Sequence, residues 1–190
     1  METLNIVLCG LGGQGILFMT KVLAESSLEK GFRVLGAETH GMAQRGGSVV
    51  SHLRIGDVES SLVRAGGADI VLALDGQEGF RNLAFLRPGG RLYANAADGT
   101  LPGKEVNDYL EKLGITYRSV PAGIEAMKLG APKGTNLFLL GFYSAFEAVP
   151  ADSGELRRII ERITPERFLE ANLKVFDAGL EAGGRLRRTG

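Results

Sequence analysis

Alternation of short apolar runs with amphipathic stretches predicts an α/β protein with a Rossmann-like, mostly parallel sheet and helices on both faces. Three observations carry that prediction. The chain opens as strand, glycine turn, helix, strand over residues 4–37. Asp69-Ile70-Val71-Leu72-Ala73-Leu74 is the strongest strand signal in the chain, closed by Asp75-Gly76. The last third of the chain carries helix signals only. With no internal repeat and no linker, residues 1–190 read as one domain.

Leu4 to Cys9 is an apolar run ending at glycine and reads as a buried strand. Ile16, Met19, Val22 and Leu23 share one face at 3.6-residue spacing, predicting a helix from Ile16 to about Lys30. Gly31 ends it, and Phe32 to Ala37 form the next strand. An imperfect alternation from Ser48 to Ile55 suggests another. Gln77 to Leu86 reads as a helix stopped by the turn cluster Arg87-Pro88-Gly89-Gly90, with strand again at Arg91–Ala94. A helix at Glu105–Leu113 and a strand at Ile115–Val120 follow. Asn136–Phe146 is apolar on nearly every side and predicts a buried helix. Asp152 and Glu155 have capping-box spacing before a helix ending near Ile163. Thr164-Pro165-Glu166 starts a terminal helix expected to end near Leu180, before Gly183-Gly184.

Composition excludes several function classes. The 22 basic and 22 acidic side chains cancel. Residues 1–150 carry 14 and 15 of them and residues 151–190 carry 8 and 7, so neither part is a basic arm for nucleic acid or anionic membrane. The longest apolar stretch, Leu137 to Phe146, is half the length of a membrane span of about 20 residues. The start MetGluThrLeuAsn lacks the basic opening of a secretory signal, and a cytoplasmic location is expected. One cysteine, Cys9, cannot form an intrachain disulfide or hold an all-cysteine iron–sulfur cluster, and two histidines make no histidine-rich metal site. The excess is in glycine, 28 of 190 residues against an average near ~7%, which predicts tight turns and close backbone approaches.

Gly10, Gly12 and Gly15, with Gly13 and Gln14 between the last two, fit the spacing G-x-G-x-x-G after a strand and before a helix. Such a turn brings backbone N–H groups and a helix N-terminus to a phosphate. Glu38 lies 23 residues past Gly15, where a dinucleotide-binding fold places its ribose-binding acid. Read alone, these residues fit a stand-alone NAD(P)-dependent dehydrogenase, and a flavin-binding partner of the same shape is a weaker alternative. Against both, Gln14 is unusual in the turn, and Glu38 is followed by a second polar, glycine-rich loop in place of a crossover helix. The plainer alternative is that these glycines serve strand–helix packing alone.

That second loop is Glu38-Thr39-His40-Gly41-Met42-Ala43-Gln44-Arg45-Gly46-Gly47-Ser48. Together with Gly10–Gly15, it resembles the gamma-type subunit of 2-oxoacid:ferredoxin oxidoreductases. It looks most like the small subunit of indolepyruvate:ferredoxin oxidoreductase, with pyruvate, 2-oxoisovalerate and 2-oxoglutarate relatives. The resemblance continues through Asp69–Asp75, Gly134-Thr135-Asn136 and Asn172-Leu173-Lys174, covering essentially the whole chain as a single gamma-type domain. It implies an accessory subunit, inactive alone, of an enzyme that converts a 2-oxoacid to acyl-coenzyme A and passes electrons to ferredoxin. Thiamine diphosphate and iron–sulfur clusters would then lie in partner chains. Asp75-Gly76 lacks the downstream asparagine of a thiamine-diphosphate motif, in keeping with that division.

On this reading no residue of the chain is catalytic. Gly10, Gly12, Gly13, Gln14 and Gly15 form an anion cradle or a tight interface turn. Arg45, with its planar fork, is the candidate contact to coenzyme A, unless it pairs with a neighbouring acid such as Glu38. His40, Gln44, Gly46 and Gly47 face the catalytic partner, and an isolated chain could form a homodimer through the same surface. Other residues have plainer expected roles. Cys9 is a small buried residue, His52 is packed or solvated, Asp75 caps the next helix, and Gly141 and Ser144 permit close helix–sheet contact.

Overall fold

The computed structural model describes residues 3–41, 46–96 and 103–189. The chain runs β1 (Leu4–Leu11), α1 (Ile16–Glu29), β2 (Val34–His40), β3 (Ser48–Ile55), β4 (Ala68–Ala73) and α2 (Gly76–Arg81). A 3₁₀ turn (Leu83–Phe85), β5 (Leu86–Asn95), α3 (Lys104–Lys112), β6 (Thr116–Val120) and α4 (Ala122–Lys128) come next. The chain closes with α5 (Thr135–Ser144), α6 (Ser153–Ile163) and α7 (Glu166–Thr189). The expected Rossmann-like α/β class holds.

The six strands lie in the order β2-β3-β1-β4-β5-β6. β1, β4, β5 and β6 are mutually parallel, whereas β3 is antiparallel to both β1 and β2. The connection between His40 and Ser48 is too short for a crossover to a parallel neighbour, which takes a dozen residues or more. A hairpin forms there, and β3 takes the place beside β1 that β2 would hold in a dinucleotide-binding fold.

Side-chain alternation divides the core between the two faces of the sheet. Ile6, Leu8, Ile70, Leu72 and Tyr93 pack with side chains of α1, α5, α6 and α7. Val7, Cys9, Val71, Ala73, Leu92 and Ala94 point the other way, toward the 3₁₀ turn and α3. β1 and β4 are therefore covered on both faces, which is why they read as unbroken apolar runs.

Four local expectations change. The helix predicted at 77–86 ends at Arg81, where the Asn82 side-chain amide donates to the Glu78 carbonyl at 2.8 Å and a 3₁₀ turn follows. Arg87-Pro88-Gly89-Gly90 lies within β5 as an irregularity, because the pairing jumps from Ala68–Leu86 to Ile70–Arg91. α4, to which the sequence reading gave no element, follows Pro121 with only seven residues, too short to show a helical period. α7 continues through Gly183-Gly184 to Thr189, because Gly183 is packed against α5 and does not end the helix. The capping box is present: Asp152 accepts from the Glu155 N–H at 2.9 Å, and Glu155 accepts from the Asp152 N–H at 2.8 Å.

Candidate functional site: two glycine loops at the carboxyl ends of the strands

At the carboxyl ends of the parallel strands the chain turns into α1, α2 and α4, which places helix N-termini along one edge of the sheet. Of these, α2 is capped by a side chain. Asp75 accepts from the N–H groups of Gln77 and Glu78 at 3.0 and 3.1 Å, a cap worth about 1 kcal/mol, as its position predicted. α1 and α4 have no side-chain cap. Open sheets of this kind bind ligands and partners at this edge.

The two loops picked out in the sequence meet here. Gly12 donates its N–H to the Gly47 carbonyl at 2.9 Å, and a Cβ on Gly12 would stand 3.7 Å from that same oxygen. Gln14 folds back so that its side-chain oxygen accepts from the Leu11 N–H at 2.7 Å, against Gly10. Gln14 is thus an internal brace of the turn. At the helix start, Gly15 has a φ of 86°, and its carbonyl accepts from the Asn136 side-chain amide at 3.2 Å. Asn136 lies in the first turn of α5, so it ties the turn to a helix 121 residues away. Among the described residues, the N–H groups of Gly13 and Gly15 donate to no protein acceptor.

The far side of the second loop is held by a buried acid. Glu78, 2% exposed, accepts from the Ser48 hydroxyl at 2.6 Å and from Arg81 at 2.5 Å. Asn95, at the end of β5, donates to the Leu74 carbonyl at 3.0 Å and accepts from the Gly123 N–H at 3.1 Å, joining β4 to the start of α4. Glu78, Asn95 and Asn136 were not picked out as site residues. Glu78 stands three residues past Asp75, a capping-box spacing that could have drawn attention to it. The other two act through long-range contacts that carry no local signal.

Of the expected site residues, Gly10, Gly12, Gly13, Gln14, Gly15, Gly46 and Gly47 come together at this clasp. His40 ends β2 opposite Val49 on β3. Gln44 and Arg45 lie outside the described residues, so the expected coenzyme contact through Arg45 does too. Cys9 is fully buried, and burial, with Glu78 and Asp75 nearby, pushes its thiol far above the ordinary range. His52 is buried: its Nδ1 accepts from the Val63 N–H at 3.3 Å and its ring stands edge-on to Phe85. Burial lowers its pKa. Gly141 permits close approach of a helix, α7, and not of the sheet.

The ribose-acid reading of Glu38 does not fit this geometry. Ser51 on β3 pairs with Glu38 on one side and with Leu8 on the other. Glu38 is therefore two strand spacings from β1, roughly 10 Å, and level with its middle, short of its carboxyl end.

The fold and clasp define a class: a Rossmann-like chain that offers a braced double loop at the carboxyl edge of its sheet. The chain belongs to the pyruvate ferredoxin/flavodoxin oxidoreductase family, whose profile matches residues 5–182. The indolepyruvate oxidoreductase subunit IorB of Archaeoglobus fulgidus is 34% identical to it over 187 residues, 93% of each chain. The IorB subunit of Thermococcus kodakarensis is 31% identical over 197 residues, 96% of each chain. Among solved structures, the keto/oxoacid ferredoxin oxidoreductase gamma subunit of Geobacter sulfurreducens superposes with a TM-score of 0.74 at 24% identity, covering 95% of this chain and 98% of that one. The 2-oxoglutarate:ferredoxin oxidoreductase of Magnetococcus marinus, solved with 2-oxoglutarate, coenzyme A and succinyl-CoA bound, gives 0.77 at 20% identity. That match covers 97% of this chain and 32% of the larger one. The family match agrees with the resemblance carried by the two loops, and the dehydrogenase alternative finds no support. No helix among the described residues is long and apolar enough to cross a membrane.

Proposed function

We propose that the chain is the gamma-type accessory subunit of a cytoplasmic 2-oxoacid:ferredoxin oxidoreductase, acting as one domain over residues 1–190. Indolepyruvate is the first substrate to test, because the IorB relatives span nearly the whole chain. The observation that carries the reading is the clasp: two loops far apart in sequence, joined by the Gly12–Gly47 hydrogen bond at 2.9 Å.

Among the described residues no group of three or more His, Cys, Asp or Glu side chains is placed to hold a metal ion. Cys9 is buried, and burial pushes its thiol pKa up. One cysteine cannot hold an all-cysteine iron–sulfur cluster, and we assign the clusters and thiamine diphosphate to the catalytic partner, with ferredoxin as acceptor of the assembled enzyme. The role left to this chain is positioning. Gly13 and Gly46, together with His40, Gln44 and Gly47, are assigned to the surface that meets the partner. The N–H groups of Gly13 and Gly15, which have no protein acceptor among the described residues, suit a phosphate oxygen of coenzyme A, with Arg45 as the candidate charged contact.

Co-expression with a thiamine-diphosphate subunit tests this. The pair should reduce a viologen dye with a 2-oxoacid in a coenzyme A-dependent way, and indolepyruvate, pyruvate and 2-oxoisovalerate assayed side by side give the substrate. Arg45→Ala is expected to raise the KM for coenzyme A in the assembled enzyme. Unchanged coenzyme A kinetics and assembly would remove Arg45 from the site. Failure to pair with any such subunit, with NADH binding by the chain alone, would overturn the whole reading.

A further inference from the structure

On the sheet face that carries Tyr93, a cavity of about 590 Å³ opens between β5, β6, the chain just after α5 and the end of α7. Its inner wall is a buried carboxylate that is already satisfied. Glu147 accepts from the Tyr93 hydroxyl at 2.5 Å and pairs with Arg91 at 3.0 Å. Two more guanidinium groups line the same space. Arg118, from β6, lies 4.5 Å from the centre of the Phe146 ring, and Arg187, from the last turn of α7, donates to the Ala145 carbonyl at 3.2 Å. Neither forms an ion pair among the described residues. Arg91 Nε is buried with no hydrogen-bond partner among the described residues.

Three guanidinium groups therefore face one engaged carboxylate, in a concave site within the ~300–1,000 Å³ range of small-molecule pockets. Like charges gathered at a partly desolvated wall repel one another unless an anion is shared between them. Arg118 sits over the Phe146 ring and forms no ion pair among the described residues, so its guanidinium is available to bind carboxylate or phosphate through paired hydrogen bonds. We propose that this cavity binds a small molecule bearing a compact oxyanion, a phosphate ester or a carboxylate, held by Arg118 and Arg187, with Arg91 fixed behind them by Glu147.

The test is calorimetric titration of the full-length chain, alone and assembled with its partner subunit. Pyrophosphate and malonate serve as probes, and chloride at matched ionic strength is the control. Saturable binding of either probe is expected in both forms, and the stronger probe tells phosphate from carboxylate. Arg118→Gln should weaken it about tenfold or more, as loss of a charged hydrogen-bond donor does. Arg187→Gln, on the exposed end of α7, should weaken it less and gives the same comparison if the first variant does not fold. No saturable binding, or affinity unchanged in both variants, overturns the proposal. Binding to the isolated chain that vanishes on assembly also overturns it, because the cavity would then receive an acidic side chain of the partner.

Discussion

The clasp at the carboxyl ends of the strands and the seam between α5 and α7 both depend on glycine, for opposite reasons. In the clasp the residue supplies backbone geometry. Gly13 and Gly15 have φ values of 94° and 86°, and among the described residues nothing would lie within 4 Å of a Cβ on Gly13. In the seam the residue supplies nothing but the absence of a side chain. The Phe176 carbonyl oxygen occupies the position a Cβ of Gly141 would take, and the Phe138 carbonyl oxygen does the same at Gly179. Each helix thus sets its backbone directly against the other's, close enough for Cα–H···O contacts. Gly13 is held by its dihedral angle alone, whereas the seam glycines have helical dihedrals that any residue adopts and no room for a side chain.

The largest expected effect follows from the seam. Gly179→Ala or Gly141→Ala would force α5 and α7 apart along a contact that closes the main core cluster, at a cost of about 3 kcal/mol, the upper end of overpacking losses. Thermal melts should show the loss in the isolated chain, with no partner present. A melting temperature unchanged in both variants would show that the helices are not in backbone contact. In the clasp, Gly15→Ala meets both a left-handed φ and the Asn136 amide, whose Nδ2 would be 2.5 Å from the new Cβ, and should cost about 2 kcal/mol. Gly13→Ala meets the dihedral alone and should cost about 1 kcal/mol. If the proposed function is right, Gly13→Ala also impairs coenzyme A-dependent turnover beyond its stability loss, whereas the seam variants change turnover only as they unfold.

The same division explains what was legible in the sequence. Turn glycines declare themselves by position, between an apolar run and a helical period, so the Gly10–Gly15 turn and the strand before it could be read directly. Packing glycines sit inside a helical period and look like ends or gaps. Gly183-Gly184 read as the stop of α7, and Gly141 was matched to the sheet and not to a helix 35 residues or more away in sequence. Sheet order failed for a related reason. Strand patterns show which residues pair inward, not which strand lies beside which, and only the shortness of the 41–47 connection hinted that β3 would come between β1 and β2. The clasp itself is a single long-range hydrogen bond, although both of its loops stood out as motifs. Glu78, Asn95 and Asn136 bind across 21 to 121 residues, and no local pattern encodes such partners.

Protonation offers a smaller effect, away from both glycine regions. His52 is buried with Nδ1 accepting from Val63, so its folded pKa lies below the ordinary value of 6.5. The unfolded chain binds a proton below about pH 6.5 that the folded chain resists. The stability His52 contributes is therefore complete above that pH and is lost as the pH falls toward the folded value. The slope from this one residue cannot exceed about 1.4 kcal/mol per pH unit. Urea unfolding between pH 5 and 8 should show it, and His52→Gln should flatten that part of the profile. An equal slope in the variant would mean that His52 is protonated in the folded state.

The sharpest test of the seam turns on two adjacent residues, one of which carries the smallest change of all. Gly183 and Gly184 both lie inside α7. A Cβ on Gly183 would stand 2.6 Å from the Ala145 Cβ and 2.7 Å from the Phe142 carbonyl oxygen, whereas one on Gly184 would have nothing within 4 Å. Helix propensity favours alanine over glycine by about 0.5–1 kcal/mol, through the backbone entropy glycine loses on folding. Gly184→Ala collects that gain without a clash and should stabilise the chain by that amount. Gly183→Ala incurs the clash, about 1–3 kcal/mol, and should destabilise it. Denaturant midpoints of the two variants should thus move in opposite directions. If both fall, α7 ends near Leu180 as its sequence suggested, and the glycine pair belongs to a cap. If both rise, the helix continues but the seam does not reach its last turns. Only opposite signs place Gly183, and not its neighbour, against α5.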